Sequence, residues 1–77
     1  PVVQVGAAPS EAEARRLLAS IEGLASREAW VETATVGGRV WRRAVVGGFA
    51  DRAEAARFCA ALRGGGRDCF VRNAKRN

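Results

Sequence analysis

Val5-Gly6-Ala7-Ala8-Pro9-Ser10-Glu11-Ala12-Glu13-Ala14-Arg15-Arg16-Leu17 returns 41 residues later as Val46-Gly47-Gly48-Phe49-Ala50-Asp51-Arg52-Ala53-Glu54-Ala55-Ala56-Arg57-Phe58. Eight positions between Val5 and Gly23 are identical at this offset, among them Gly6/Gly47, Glu13/Glu54 and Arg16/Arg57. Two copies are too few for a solenoid, which needs at least three stacked units. The repeat therefore describes one domain with two similar halves, about 2–38 and 39–73, and a loose polar tail at 74–77.

Each half opens on a short apolar strand, Val2 to Val5 and Ala44 to Val46, ended by a glycine. Ser10 with Glu13, and Asp51 with Glu54, have capping-box spacing and mark two helix starts. The first helix lines up Ala14, Leu17, Leu18 and Ile21 on one stripe, and the second lines up Ala55, Phe58, Cys59 and Leu62. The first helix is expected to fray at Gly23 to Ser26, whereas Gly64-Gly65-Gly66 stops the second. Ala29 to Val36 and Arg39 to Val46 read as strands joined by Gly37-Gly38, a two-residue hairpin turn. Asp68 to Arg72 reads as the last strand. The order is β-α-β-β-α-β, an α+β fold of the split βαβ (ferredoxin-like or RNP-like) kind: a four-stranded antiparallel sheet with both helices on one face.

Such a fold leaves the second sheet face open. Strand residues alternate between faces, so with Val3 and Val5 under the helices, Gln4 lies on the open side. The repeat transfers this parity to Arg43 and Val45. Independently, the tight hairpin pairs Ala34 with Trp41, Glu32 with Arg43 and Trp30 with Val45, and paired residues share a face. The expected open face is Gln4, Trp30, Glu32, Trp41, Arg43 and Val45, joined by Phe70 and Arg72 if Cys69 and Val71 turn inward. Glu32 opposite Arg43 suggests a cross-strand ion pair. Aromatics and polar groups on a pleated surface suit sugars or bases; the alternative is that the tryptophans pack against a linker or each other.

The net charge is +5, carried by twelve arginines and the single Lys75. It favours polyanions, or else a solvated arginine-rich surface. No apolar run approaches a membrane span and no signal pattern is present. The chain lacks methionine even at position 1, which reads as a domain from a longer protein. Cys59 and Cys69 lack zinc spacing and histidine partners. Both are expected to point inward, as one disulfide or as two core thiols.

With no histidine and no tyrosine, most catalytic constellations cannot be built. The serines have no base nearby to activate them. Glu32 has no second carboxylate for glycoside hydrolysis, and the glycine run follows a helix instead of preceding one, so it is no phosphate cradle. Neither a catalytic site nor a metal or cofactor is expected.

Val3-Gln4-Val5-Gly6-Ala7 and Arg43-Ala44-Val45-Val46-Gly47-Gly48-Phe49 resemble the two signature segments of the SPOR domain (sporulation-related repeat), roughly V-Q-V-G-A-F and R-V-x-V-G-P-F, each followed by an alanine-rich helix. The likeness spans residues 2 to 72. It departs from the family at Ala8 and Gly48, where phenylalanine and proline are usual, and at Arg42, where an aromatic often stands; here Trp41 is one place earlier.

The resemblance implies a non-catalytic peptidoglycan-binding module of bacterial envelope and cell-division proteins, on the extracytoplasmic (periplasmic) side. It implies glycan strands stripped of stem peptides, abundant at the septum, as the partner. Gln4 and Arg43 match the motif's glutamine and arginine positions. A monomeric domain is expected, held to a membrane only through any anchor in the parent protein. The rival readings are an RNA-recognition-type module, which shares the topology, and a protein-docking module. The third strand lacks the alternating aromatics of RNP1, so no nucleic-acid partner is expected.

Overall fold

A computed structural model describes residues 1–21 and 27–73. The elements run β1 (Val2–Ala8), α1 (Glu11–Ala19), β2 (Ala29–Val36), β3 (Arg39–Val46), α2 (Arg52–Gly64) and β4 (Phe70–Arg72). The sheet order is β2-β3-β1-β4, with every neighbouring pair antiparallel. This is the α+β arrangement expected from the repeat. The expectations for Gly23 to Ser26 and for the tail at 74–77 lie outside the described residues.

Both helices start where the caps dictate. The Glu13 amide donates to the Ser10 hydroxyl at 3.2 Å and the Glu54 amide to the Asp51 carboxylate at 2.8 Å, which satisfies helix donors that have no partner inside the helix. At the end of α2, Gly66 adopts a positive φ of 83°. The Arg67 amide then reaches the Leu62 carbonyl, and the Gly66 amide reaches that of Arg63. This pair of bonds is a Schellman stop, which needs a left-handed residue at that point. Gly37 and Gly38 have φ of 58° and 80°, the geometry of a type I′ turn, and they set the β2/β3 register from Val36↔Arg39 to Ala29↔Val46.

The core lies between the helices and one sheet face: Val3, Val5, Leu18, Ile21, Ala44, Val46, Phe49, Ala55, Cys59 and Cys69, with Leu17, Phe58 and Leu62 packed at its edge. Cys59 on α2 and Cys69 before β4 are joined by a disulfide, their Cα atoms 5.4 Å apart. Above this core, Arg27 stacks its guanidinium 4.3 Å from the Phe49 ring centre and pairs with Glu54 at 3.2 Å, so Glu54 turns to Arg27 instead of closing a reciprocal capping box.

Two strand boundaries differ from expectation. β1 does not stop at Gly6 but continues to Ala8, and its register with β3 shifts between Gln4 and Gly6. Val5 and Gly6 together oppose Ala44, a β-bulge that turns both toward the helices. A Cβ on Gly6 would stand 3.0 Å from Leu17 Cδ1, so the absent side chain lets α1 sit close. β4 is shorter than Asp68 to Arg72, because its pairing with β1 runs only from Val2↔Arg72 to Gln4↔Phe70. The bulge that follows Gln4 removes the partner that Asp68 and Cys69 would have needed. The Cys69 carbonyl is instead taken by the Arg63 guanidinium.

Candidate functional site

The face away from the helices carries Gln4 from β1, Trp30 and Glu32 from β2, Trp41, Arg43 and Val45 from β3, and Phe70 and Arg72 from β4, as the ladder register requires. Their side chains form a connected structure. The Trp30 indole N–H donates to Glu32 Oε2 at 3.0 Å. Arg72 Nη2 donates to Glu32 Oε1, and Arg72 Nε donates to Gln4 Oε1 at 3.3 Å. One polar chain thus links β2, β4 and β1.

The expected Glu32–Arg43 ion pair is replaced by Glu32–Arg72. Glu32 and Arg43 do face each other in the ladder, but Trp30 takes one carboxylate oxygen and Arg72 the other. Arg43 acts on Glu32 only through space. Among the described residues it makes no side-chain hydrogen bond or ion pair. Burial pushes the Glu32 carboxyl up, but hydrogen bonds from Trp30 and Arg72 and the charges of Arg72 and Arg43 outweigh it and hold the group below its ordinary value of 4.5.

Val45 is not a surface residue: it is 0% exposed. It lies between Gln4 and Trp30 in the register, so the two ends of the polar chain flank it. Val2, opposite Arg72, is 4% exposed. Neither belongs to the helix-side core. Together they make a small apolar floor on this face, which the polar side chains roof.

Trp30 lies lengthwise along the sheet because Gly47 has no side chain. A Cβ there would stand 2.8 Å from Trp30 Cη2 and Cζ3. Trp41 is half-buried, with the Arg39 guanidinium 5.5 Å above its ring. Phe70 is 57% exposed, the most open large apolar side chain of the described residues. A shallow depression lined by Glu32, Thr33, Arg43, Arg72 and Asn73 lies beside the chain of hydrogen bonds. Sequence reasoning missed Thr33 and Asn73, which border it from a neighbouring parity position and from beyond β4. It also missed Gly47, although the Gly6/Gly47 identity in the repeat was a usable signal.

Chemically, the face offers aromatic rings at Trp41 and Phe70 and hydrogen-bond donors at Arg43 and Gln4. Among the described residues no group of three or more metal-ligating side chains comes together, and no helix of the described residues is long and apolar enough to cross a membrane.

A family model described as the SPOR domain matches residues 2–73. Among solved structures, the crystal structure of the RlpA SPOR domain from Pseudomonas aeruginosa superposes with a TM-score of 0.70 at 18% identity, over 92% of this chain and 97% of that one. That degree of identity speaks to the shared fold. No curated protein matches the sequence.

Proposed function

Because this chain belongs to the SPOR domain family of peptidoglycan-binding modules, we propose that it is a non-catalytic domain that lays a peptidoglycan glycan strand across its open sheet face and so carries a bacterial envelope protein to septal wall. The observation that supports this most directly is the Arg43 guanidinium, without a side-chain partner among the described residues, on the same sheet face as half-buried Trp41 and exposed Phe70, opposite both helices. Aromatic rings cover the apolar faces of sugars. Gln4 and Arg43 hydrogen-bond hydroxyls, N-acetyl carbonyls and the lactyl carboxylate of muramic acid. That carboxylate is free only where the stem peptide has been removed, which gives a cationic site a physical reason to prefer denuded strands. Arginine suits the task because its planar fork can engage both carboxylate oxygens. The Cys59–Cys69 disulfide is consistent with an oxidising, extracytoplasmic compartment.

The test is co-sedimentation with sacculi before and after amidase treatment. The native domain should sediment more completely with treated sacculi, and Gln4→Ala and Arg43→Ala should each reduce this. Unchanged sedimentation of both variants would remove this face as the binding surface. The positive charge also suits a single-stranded nucleic acid, which competition separates: a single-stranded oligonucleotide should not displace the domain from amidase-treated sacculi, and its own binding would fall steeply with salt through counterion release.

A further inference from the structure

We infer that Arg72 and Glu32 are positioning residues that hold Gln4 with its amide N–H groups outward, so that Gln4 adds donors to those of Arg43 and this face favours sugar units rich in acceptors. The inference rests on the glycan-binding reading above and says what chemistry within a glycan the face reads.

Arg72 Nε can only donate, so its 3.3 Å contact with Gln4 fixes the oxygen of that amide inward and leaves Nε2 free. Arg72 is itself held by Glu32, and Glu32 is held by the Trp30 indole. Each side-chain oxygen along this chain, both of Glu32 and Oε1 of Gln4, already accepts one bond from within the protein. Among the described residues, the polar atoms of the face that make no bond inside the protein include Gln4 Nε2, Arg72 Nη1, the Trp41 indole N–H and the Arg43 guanidinium, and all of these are donors. Asn73, at the rim of the depression, is the one amide there able to do either. A neutral sugar hydroxyl meets these donors through its lone pairs. An N-acetyl carbonyl and above all a carboxylate match them fully, since a charge-assisted bond is about twice as strong as a neutral one.

Two arms test this. In the free protein, the side-chain resonances of Gln4 NH2 and Arg72 Nε–H are followed by NMR on Glu32→Gln, with helix amides as the folding control. Both sets should shift while the helix amides stay; unmoved Gln4 signals would overturn the positioning role whatever the domain binds. In the second arm, amidase-denuded glycan and a chitin oligosaccharide of equal length, which lacks the lactyl carboxylate, are titrated against native protein, Arg43→Gln and the isosteric Gln4→Glu.

The native domain should bind denuded glycan about tenfold or more tightly than chitin, the factor a lost charged hydrogen bond implies, and Arg43→Gln should erase most of that ratio. Gln4→Glu, which keeps an oxygen for Arg72 but turns the outward donor into an acceptor, should weaken both ligands. Equal native affinity for the two glycans, or full chitin binding by Gln4→Glu, would overturn the inference and leave glycan binding standing. Resonance shifts as expected with binding to neither glycan would overturn the functional reading, and the selectivity with it.

Discussion

Reducing the Cys59–Cys69 disulfide should destabilise this domain by about 3 kcal/mol and disable its open face before it unfolds. The two cysteines are 10 residues apart in sequence. On the chain-entropy model, a loop of about ten residues removes about 9 cal/mol/K from the unfolded chain, or roughly 2.7 kcal/mol at 25 °C. A domain of this size has on the order of 4–12 kcal/mol in total, so the loss is large, and it corresponds to a fall of about 10–20 °C in melting temperature. The effect also has a location. β4 has three residues, paired only with Val2 to Gln4, and the disulfide ties the residue just before it to α2. Without that tie, β4 should open first and release Phe70 and Arg72, the latter with its bonds to Glu32 and Gln4. The assay is thermal unfolding with and without reductant, run in parallel on Cys59→Ala/Cys69→Ala, together with glycan co-sedimentation below the melting range. Reductant should lower the melting temperature of the native domain and leave the double variant unmoved. A shift under about 2 °C, or an equal shift in the double variant, would refute the reasoning.

Gly47→Ala places a methyl 2.8 Å from the Trp30 ring and should cost about 1–3 kcal/mol as an overpacked contact, with a change in tryptophan fluorescence as the ring is displaced from Glu32. Ser10→Ala and Asp51→Ala each remove a helix cap and should each lower stability by about 1 kcal/mol in denaturant titrations. Glu32 has a lowered folded pKa, so its contribution to stability is fully present above its ordinary value of 4.5 and is lost as pH falls through the folded value. Melting temperature should therefore drop on acidification in the native domain more than in Glu32→Gln; identical pH profiles would show that the carboxylate does not hold the polar chain.

Element types and the two-faced arrangement were legible because they follow from local chemistry. The capping pairs at Ser10/Glu13 and Asp51/Glu54 located both helices, and a two-glycine turn admits one register, which placed Trp30, Glu32, Trp41 and Arg43 on a common face. The disulfide was narrowed to two alternatives, since inward-facing thiols look alike in sequence whether bonded or not. The β1 bulge was invisible: the repeat makes Gly6 and Gly47 equivalent, yet Gly6 faces α1 and Gly47 faces Trp30. An extra residue in one ladder and not the other depends on how the strands pair, which the repeat does not encode.

What the chain determined by itself is therefore the fold, the family and the set of side chains that share the open face. Periodicity, caps and turns act over a few residues and need no knowledge of distant neighbours. What only the tertiary structure decided is who bonds to whom on that face. Glu32 is opposite Arg43 but pairs with Arg72, 40 residues away on the far edge of the sheet, and Val45 shares the face yet lies wholly buried. Long side chains on a twisted sheet choose partners by three-dimensional reach and by competition for a limited number of acceptors, and neither quantity is written in sequence spacing.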